Sequence, residues 1–113
     1  MSYEYDLDCI TKSIDNNTRI IYFINPHWQI GKLLNDKRIK SCVQAAEDKS
    51  IPIVVDETYA EFTFPKRKFF KFGEFNKYTP VISINSSSRL FGMSGNRIAW
   101  IVLYGDSDCF EDL

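Results

Sequence analysis

Metal-binding patterns are missing from this sequence of 113 residues, which contains one histidine and three cysteines. Cys9, Cys42 and Cys109 lie far apart, and none of them belongs to a CxxC or Cys/His pattern. This spacing argues against a zinc site and is typical of reduced thiols. We therefore expect no metal and a cytoplasmic location.

Long hydrophobic runs and an excess of one charge are missing too. No stretch of about 18 apolar residues could cross a membrane, and residues 1–8 are acidic and aromatic, where a signal peptide would begin with basic residues. Fourteen basic and fifteen acidic residues leave a net charge of -1, without the basic footprint of a nucleic-acid-binding or membrane-binding protein. Small-molecule or protein partners are expected, with no nucleic acid and no membrane.

Short apolar runs dominate what is present. Four of them predict buried strands, at residues 19–24, 51–55, 81–84 and 98–103. Because these runs are unbroken, we expect both faces of the sheet to be covered. Between the first two runs, apolar residues at helical spacing predict a helix capped by Asn35 or Asp36, and a shorter helix is predicted at residues 7–14. A strand, helix, strand order makes the two strands parallel. The fold class is therefore α/β, with a mixed, mostly parallel sheet and flanking helices.

One segment, residues 62–77, combines six phenylalanines with five basic side chains. Aromatic and basic residues in alternation are found where proteins bind single-stranded nucleic acid. They are also found in loops whose aromatic rings pack against another part of a larger protein. The neutral overall charge favours the packing interpretation.

Polar side chains follow the predicted strands, at the sheet edge where open α/β sheets place their ligands. Asp56 and Tyr59 follow the second run, Ser86 and Ser88 lie in a hydroxyl-rich turn after the third, and Arg97 comes just before the fourth. Each residue alone has an ordinary explanation as a cap, a turn residue or a surface cation. Together they suit a ligand with a basic ring nitrogen, a ring hydroxyl and a phosphate.

Nearly the whole chain resembles a known family. The segments YDLDCITKSIDNNTRIIYFINP, IPIVVDETYAEFTF and PVISINSSSRLFGMSGNRIAWIVLYGD are similar to those of fold-type I, pyridoxal-phosphate-dependent aminotransferases of class I/II, and of tyrosine aminotransferases in particular. The resemblance implies that residues 1–113 are a single partial domain, the central part of the large cofactor-binding domain, without the small C-terminal domain.

The resemblance also assigns roles. The implied cofactor is pyridoxal 5'-phosphate, with Asp56 pairing with the ring nitrogen and Tyr59 bonding the ring hydroxyl. Ser86, Ser88 and Arg97 would hold the phosphate. The family transfers an amino group from an amino acid to a 2-oxo acid, and its members are homodimers.

Two departures from the family pattern affect these expectations. Arg89 occupies the position of the lysine that forms the Schiff base, and an arginine remains protonated and offers no free amine. In the loop at residues 25–31, which resembles Asn-Pro-x-Asn-Pro-Thr-Gly, Trp28 replaces the second asparagine, and His27 and Trp28 could line a new pocket. We therefore expect an inactive chain that binds the cofactor weakly and without a covalent link. The alternatives are a catalytically dead scaffold protein that binds partners through the phenylalanines, or a truncated gene product.

Overall fold

The computed structural model describes residues 5–110, and describes Cys109 by its backbone alone. Half of the acidic and aromatic N-terminal segment, residues 1–4, lies outside the described part, as do residues 111–113 at the other end of the expected domain.

A four-stranded sheet forms the centre of the fold, in the order β1 (Ile21–Ile24), β2 (Ile53–Asp56), β3 (Val81–Ser86) and β4 (Ala99–Tyr104). The first three strands are parallel, and β4 runs antiparallel to β3. Both ends of each predicted strand lie within two residues of the ends of the observed strand. The mixed, mostly parallel sheet predicted from the sequence is therefore confirmed.

The described residues form three α-helices, α1 (Leu7–Ser13), α2 (Asp36–Glu47) and α3 (Ser87–Leu90), besides four short 3-10 helices. The Asn35 side chain accepts a hydrogen bond from the backbone N–H of Arg38 at 2.9 Å, which makes Asn35 the N-cap of α2. The buried residues of α2 recur at helical spacing and pack in the core: Ile39, Cys42, Val43 and Ala46. Both predicted helices are confirmed. The turn predicted at residues 86–88 is instead the end of β3 and the start of α3.

The core lies on one face of the sheet. Phe23, Val55 and Val81 are at most 1 % exposed on that face, where α2 belongs to the same cluster of buried residues. On the opposite face Tyr22 is 53 % exposed, and most of β4 is exposed. The expectation that both faces are covered is wrong for the described residues. A single βαβ crossover places its helix on one face only, and an apolar run does not reveal which face has a partner.

The phenylalanine-rich segment is divided between core and surface. Phe72 is fully buried, and its ring centre lies 5.0 Å from that of Phe23. Phe62 and Phe64 are 58 % and 80 % exposed. The second half of the segment therefore packs against this chain's own sheet. Packing of the segment against another part of a larger protein stays a prediction.

Candidate functional site

Asp56 is the last residue of β2, at the carboxyl end of the parallel strands. Its Oδ1 accepts hydrogen bonds from the backbone N–H of Thr58, at 2.9 Å, and from the Thr58 hydroxyl. Its Oδ2 accepts a long hydrogen bond of 3.4 Å from the Tyr22 hydroxyl. Asp56 thus caps a tight turn rather than a helix, and these three donors leave one of the roughly four acceptor positions of a carboxylate open.

Tyr59 follows three residues later and lies near α3 in space. The guanidinium carbon of Arg89, in α3, lies 6.0 Å from the centre of the Tyr59 ring. This distance is at the outer limit of a cation–π contact. The structure therefore brings together two residues that the sequence separates by a strand and the phenylalanine-rich segment.

The serines lie where β3 passes into α3. The Ser86 hydroxyl oxygen accepts from the backbone N–H of Ser88 at 3.3 Å, and both side chains are partly buried. Ser87 holds this turn against the chain entering β4, because its backbone N–H and its hydroxyl both donate to the carbonyl oxygen of Ile98. Ser86, which pairs with Ala99 of β4, also lies close to the backbone that follows Arg97.

Arg97 connects the turn Ser94–Asn96 to β4 with a left-handed backbone, φ 51°. This conformation is costly for a residue with a side chain and is often found at functional positions. The exposed guanidinium donates to the carbonyl oxygen of Ser94 at 3.1 Å rather than to Ser86 or Ser88. Arg97 thus lies at the expected edge of the sheet, next to the end of β3. Its side chain contacts the turn Ser94–Asn96 that precedes it.

In the loop at residues 25–31, His27 and Trp28 have different surroundings. Trp28 is 55 % exposed, and the His27 ring packs 5.5 Å from the ring of Tyr5. A neighbouring cavity of about 450 Å³ lies between this loop and the phenylalanine-rich segment; its lining includes Pro26, Leu33, Tyr59, Phe62, Phe64 and Arg67. His27 and Trp28 are not among the residues that line this cavity, and a pocket formed by these two residues stays a prediction.

Glu57 points away from Asp56, into the buried face of the sheet. It is 3 % exposed and accepts from the Ser83 hydroxyl at 2.6 Å and from the backbone N–H of Phe72 at 3.3 Å. Burial raises the pKa of Glu57, although these two hydrogen bonds oppose the rise. Glu57 therefore ties β2 to β3 and to the phenylalanine-rich segment, behind the strand that carries Asp56.

Sequence reasoning missed Tyr22, the partner of Asp56 Oδ2. Tyr22 pairs with Val54 in the register that also pairs Ile24 with Asp56, so Tyr22 and Asp56 lie on the same face of adjacent strands. The sequence offers one sign of this contact, which is a tyrosine within the apolar run that forms β1. Whether Tyr22 and Asp56 lie on the same face of the sheet could be known only after the register between β1 and β2 was known.

Comparison with known proteins identifies the family. The sequence model for aminotransferase class I and II matches residues 1–108. This chain belongs to that family. Among the residues that the structure describes, no helix is long and apolar enough to cross a membrane. The expected cytoplasmic location stays a prediction.

Individual relatives agree with this assignment. Cystine lyase CORI3 from Arabidopsis thaliana is 29 % identical over 111 residues, which are 98 % of this chain and 26 % of that protein. Tyrosine aminotransferase from Dictyostelium discoideum is 26 % identical over 110 residues, 97 % of this chain and 26 % of that protein. The chain therefore spans about a quarter of the length of these curated relatives.

A solved structure supports the fold. The PLP-bound putative aminotransferase from Clostridium difficile 630 superposes with a TM-score of 0.84 at 18 % identity, covering 97 % of this chain and 28 % of that one. At this identity the likeness concerns the fold, and it confirms that this aminotransferase-family chain has the α/β architecture of its relatives.

The residues at this edge match part of what pyridoxal phosphate needs. An open acceptor on Asp56 suits a protonated ring nitrogen, and the Tyr59 phenol and the Ser86 and Ser88 hydroxyls suit a ring oxygen and phosphate oxygens. Arg97 lies one residue before the Ile98 carbonyl that holds the serine turn. Arg89 is the residue that does not fit, because the cofactor's aldehyde requires a free amine.

Proposed function

We propose that this aminotransferase-family chain is a pyridoxal-phosphate-binding domain that holds the cofactor without a covalent link and does not itself transfer amino groups. In this proposal residues 1–113 are a single partial domain, the central part of the family's large cofactor-binding domain. Asp56, Tyr59, Ser86, Ser88 and Arg97 are its binding residues, as the family resemblance assigns them. Bound there, the cofactor would supply an electron-withdrawing ring that stabilises negative charge on an amino acid.

The observation that carries the proposal is the state of Asp56. Its Oδ1 is occupied by both donors of Thr58, whereas Oδ2 has only the long contact with Tyr22. A carboxylate fixed on one oxygen and open on the other is prepared for one further charged donor. Its place at the carboxyl end of a parallel strand is where such sheets bind their ligands.

Arg89 accounts for the missing activity. The guanidinium stays protonated at any working pH, so it can neither condense with the aldehyde of the cofactor nor take a proton from a bound amino acid. Its exposed position over Tyr59 instead adds a positive charge beside the proposed phosphate residues. The chain therefore keeps residues that bind an anionic ring compound and lacks the residue that reacts with it.

Members of the family act on amino acids and 2-oxo acids, and the similarity to tyrosine aminotransferase makes aromatic amino acids the proposed substrates of the lineage. A homodimer is proposed on the same family grounds.

Equilibrium binding of pyridoxal phosphate to the purified chain tests the proposal. We expect saturable binding, and Asp56→Asn should weaken it about tenfold or more, because a hydrogen bond to a charged group is replaced by a neutral one. Asp106→Asn is the matched control, since Asp106 is exposed and follows β4. The proposal fails if the natural chain shows no saturable binding, or if both variants weaken it equally.

A second candidate function is partner binding through the exposed part of the phenylalanine-rich segment. Phe62 and Phe64 favour it, because both rings are largely exposed and lie beside an apolar cavity. Such a protein should retain a bound partner from its native lysate through washing, and should lose it in the double variant Phe62→Ser, Phe64→Ser. Equal retention by the natural chain and the double variant would exclude this function.

A further inference from the structure

Tyr22 and Asp56 form a pair on the open face of the sheet. The register of β1 and β2 pairs Ile24 with Asp56 and Tyr22 with Val54, so Tyr22 is the diagonal neighbour of Asp56 on the same face. The Tyr22 hydroxyl donates to Asp56 Oδ2 at 3.4 Å. Neighbouring residues of β1 are buried in the core, whereas the Tyr22 side chain is 53 % exposed.

Tyr22 and Thr58 divide the two oxygens of the Asp56 carboxylate. Thr58 fixes Oδ1 from within the same turn, and Tyr22 contacts Oδ2 from the neighbouring strand. A carboxylate held at one oxygen can still rotate about its Cβ–Cγ bond. A second donor on the other oxygen restricts this rotation and fixes the direction of the remaining lone pair.

We propose that Tyr22 is a positioning residue of the candidate cofactor site, which aims the open lone pair of Asp56 Oδ2 at the ring nitrogen of the bound cofactor. This inference rests on the proposed function. Tyr22 acts through Asp56 and contributes to recognition of the ring nitrogen alone. Neither the family resemblance nor the sequence pattern assigns it a role.

The electrostatics of the pair fit this role. Partial burial, followed by the negative charge of Asp56, raises the pKa of Tyr22 above its ordinary value, with a smaller effect from the Tyr5 phenol. Tyr22 therefore remains a protonated donor throughout the neutral pH range. Because its ring contributes to the exposed face and not to the core cluster, removing the hydroxyl should leave the fold intact.

The first experiment compares two ligands on Tyr22→Phe and the natural chain. We expect the variant to bind pyridoxal phosphate about three- to tenfold more weakly, the usual range for one lost hydrogen bond. Phenyl phosphate lacks the ring nitrogen, so its affinity should change less than about twofold. Tyr78→Phe, at the opposite end of β3, is the matched control and should change neither affinity. An equal loss for both ligands, or no loss for either, overturns the positioning role.

A second measurement needs no ligand. Titration of the tyrosine carbons by NMR should show Tyr22 ionising above the ordinary pH for a phenol, and Asp56→Asn should lower that pH by removing the negative charge. An unchanged Tyr22 titration in Asp56→Asn shows that the pair does not form and overturns the inference at its base.

The two measurements together separate this inference from the proposed function. If the natural chain binds neither ligand but Tyr22 responds to Asp56→Asn, the proposed function fails and the pair is a structural contact, which overturns the positioning role too. If pyridoxal phosphate binds equally well to the natural chain and to Tyr22→Phe, the proposed function stands and only the inference falls.

Discussion

The guanidinium carbon of Arg89 lies 6.0 Å from the centre of the Tyr59 ring. This contact joins α3 to the turn after β2, at the edge of the sheet that also carries Asp56 and Ser86. Arg89 therefore lies within reach of a proposed cofactor-binding residue. This arrangement makes residue 89 the position at which the proposed lack of covalent chemistry can be tested.

Arg89→Lys should restore covalent capture of the cofactor. The lysine amine can lose a proton and condense with the aldehyde of pyridoxal phosphate, with release of one water, whereas the arginine cannot. We expect a visible absorbance band in the variant and, after borohydride reduction, a mass increase on the peptide that contains residue 89.

Other lysines can react slowly with an aldehyde, so a control is required. Arg19→Lys introduces a lysine at an exposed position just before β1. This position lies at the amino ends of the parallel strands, opposite the carboxyl edge that carries the candidate site. Its peptide should show only the background modification. Equal labelling at residues 19 and 89 of the two variants would mean that the site does not direct the reaction.

The buried carboxyl of Glu57 predicts a pH dependence of stability. Burial raises its pKa in the folded chain above the ordinary value of 4.5, so the folded chain keeps this proton to a higher pH than the unfolded chain does. The protonated Glu57 carboxyl therefore contributes to the free energy of unfolding. This contribution is complete below the pKa that Glu57 has in the unfolded chain, and it is lost as the pH rises through the pKa that Glu57 has in the folded chain.

Glu57→Gln isolates this contribution because glutamine does not ionise in this range. Urea unfolding of both chains from about pH 4 to pH 7 should show the natural chain losing stability relative to the variant as pH rises. Glu61→Gln, on an exposed neighbour, should follow the natural chain. The measured quantity is the difference in free energy of unfolding between Glu57→Gln and the natural chain. The raised pKa would be contradicted if this difference stayed constant with pH, or if the natural chain became relatively more stable as pH rises.

Within the phenylalanine-rich segment, buried and exposed rings should contribute differently to the free energy of unfolding. Phe72→Ala removes a fully buried ring that packs against Phe23 and should lower the free energy of unfolding by about 3–5 kcal/mol. Phe64→Ala changes a ring that is 80 % exposed and should alter it by less than about 0.5 kcal/mol. Denaturant unfolding measures both values, and similar costs at the two positions would contradict the observed packing.

Gly73 is required because an aromatic ring lies against its backbone. A Cβ atom at Gly73 would lie 2.0 Å from Cγ of Tyr104, so Gly73→Ala forces the ring to move and should cost about 1–3 kcal/mol of unfolding free energy. Gly95 provides the control, since nothing lies within 4 Å of a Cβ built there. Thermal unfolding should show a lower midpoint for Gly73→Ala alone. Equal midpoints for the two variants would contradict this packing.

Much of the fold could be predicted because its causes are local. The apolar runs specified all four strands within two residues, and Asn35 marked the start of α2 through its capping side chain. The parallel pairing of β1 with β2 followed from the intervening helix. The sequence does not predict that Phe72 is buried and Phe64 is exposed. Both residues occur in one irregular segment, where no periodicity distinguishes inner from outer positions.

The sequence by itself determined the α/β class and the family, since both depend on residue identity and order along the chain. Only the tertiary structure decided that one face of the sheet stays open and that Tyr22 reaches Asp56 while Glu57 is buried behind it. Adjacent residues of a strand point to opposite faces, and the register between strands selects which distant side chains meet there. These contacts depend on how the strands align with one another, a relationship that the linear sequence does not state.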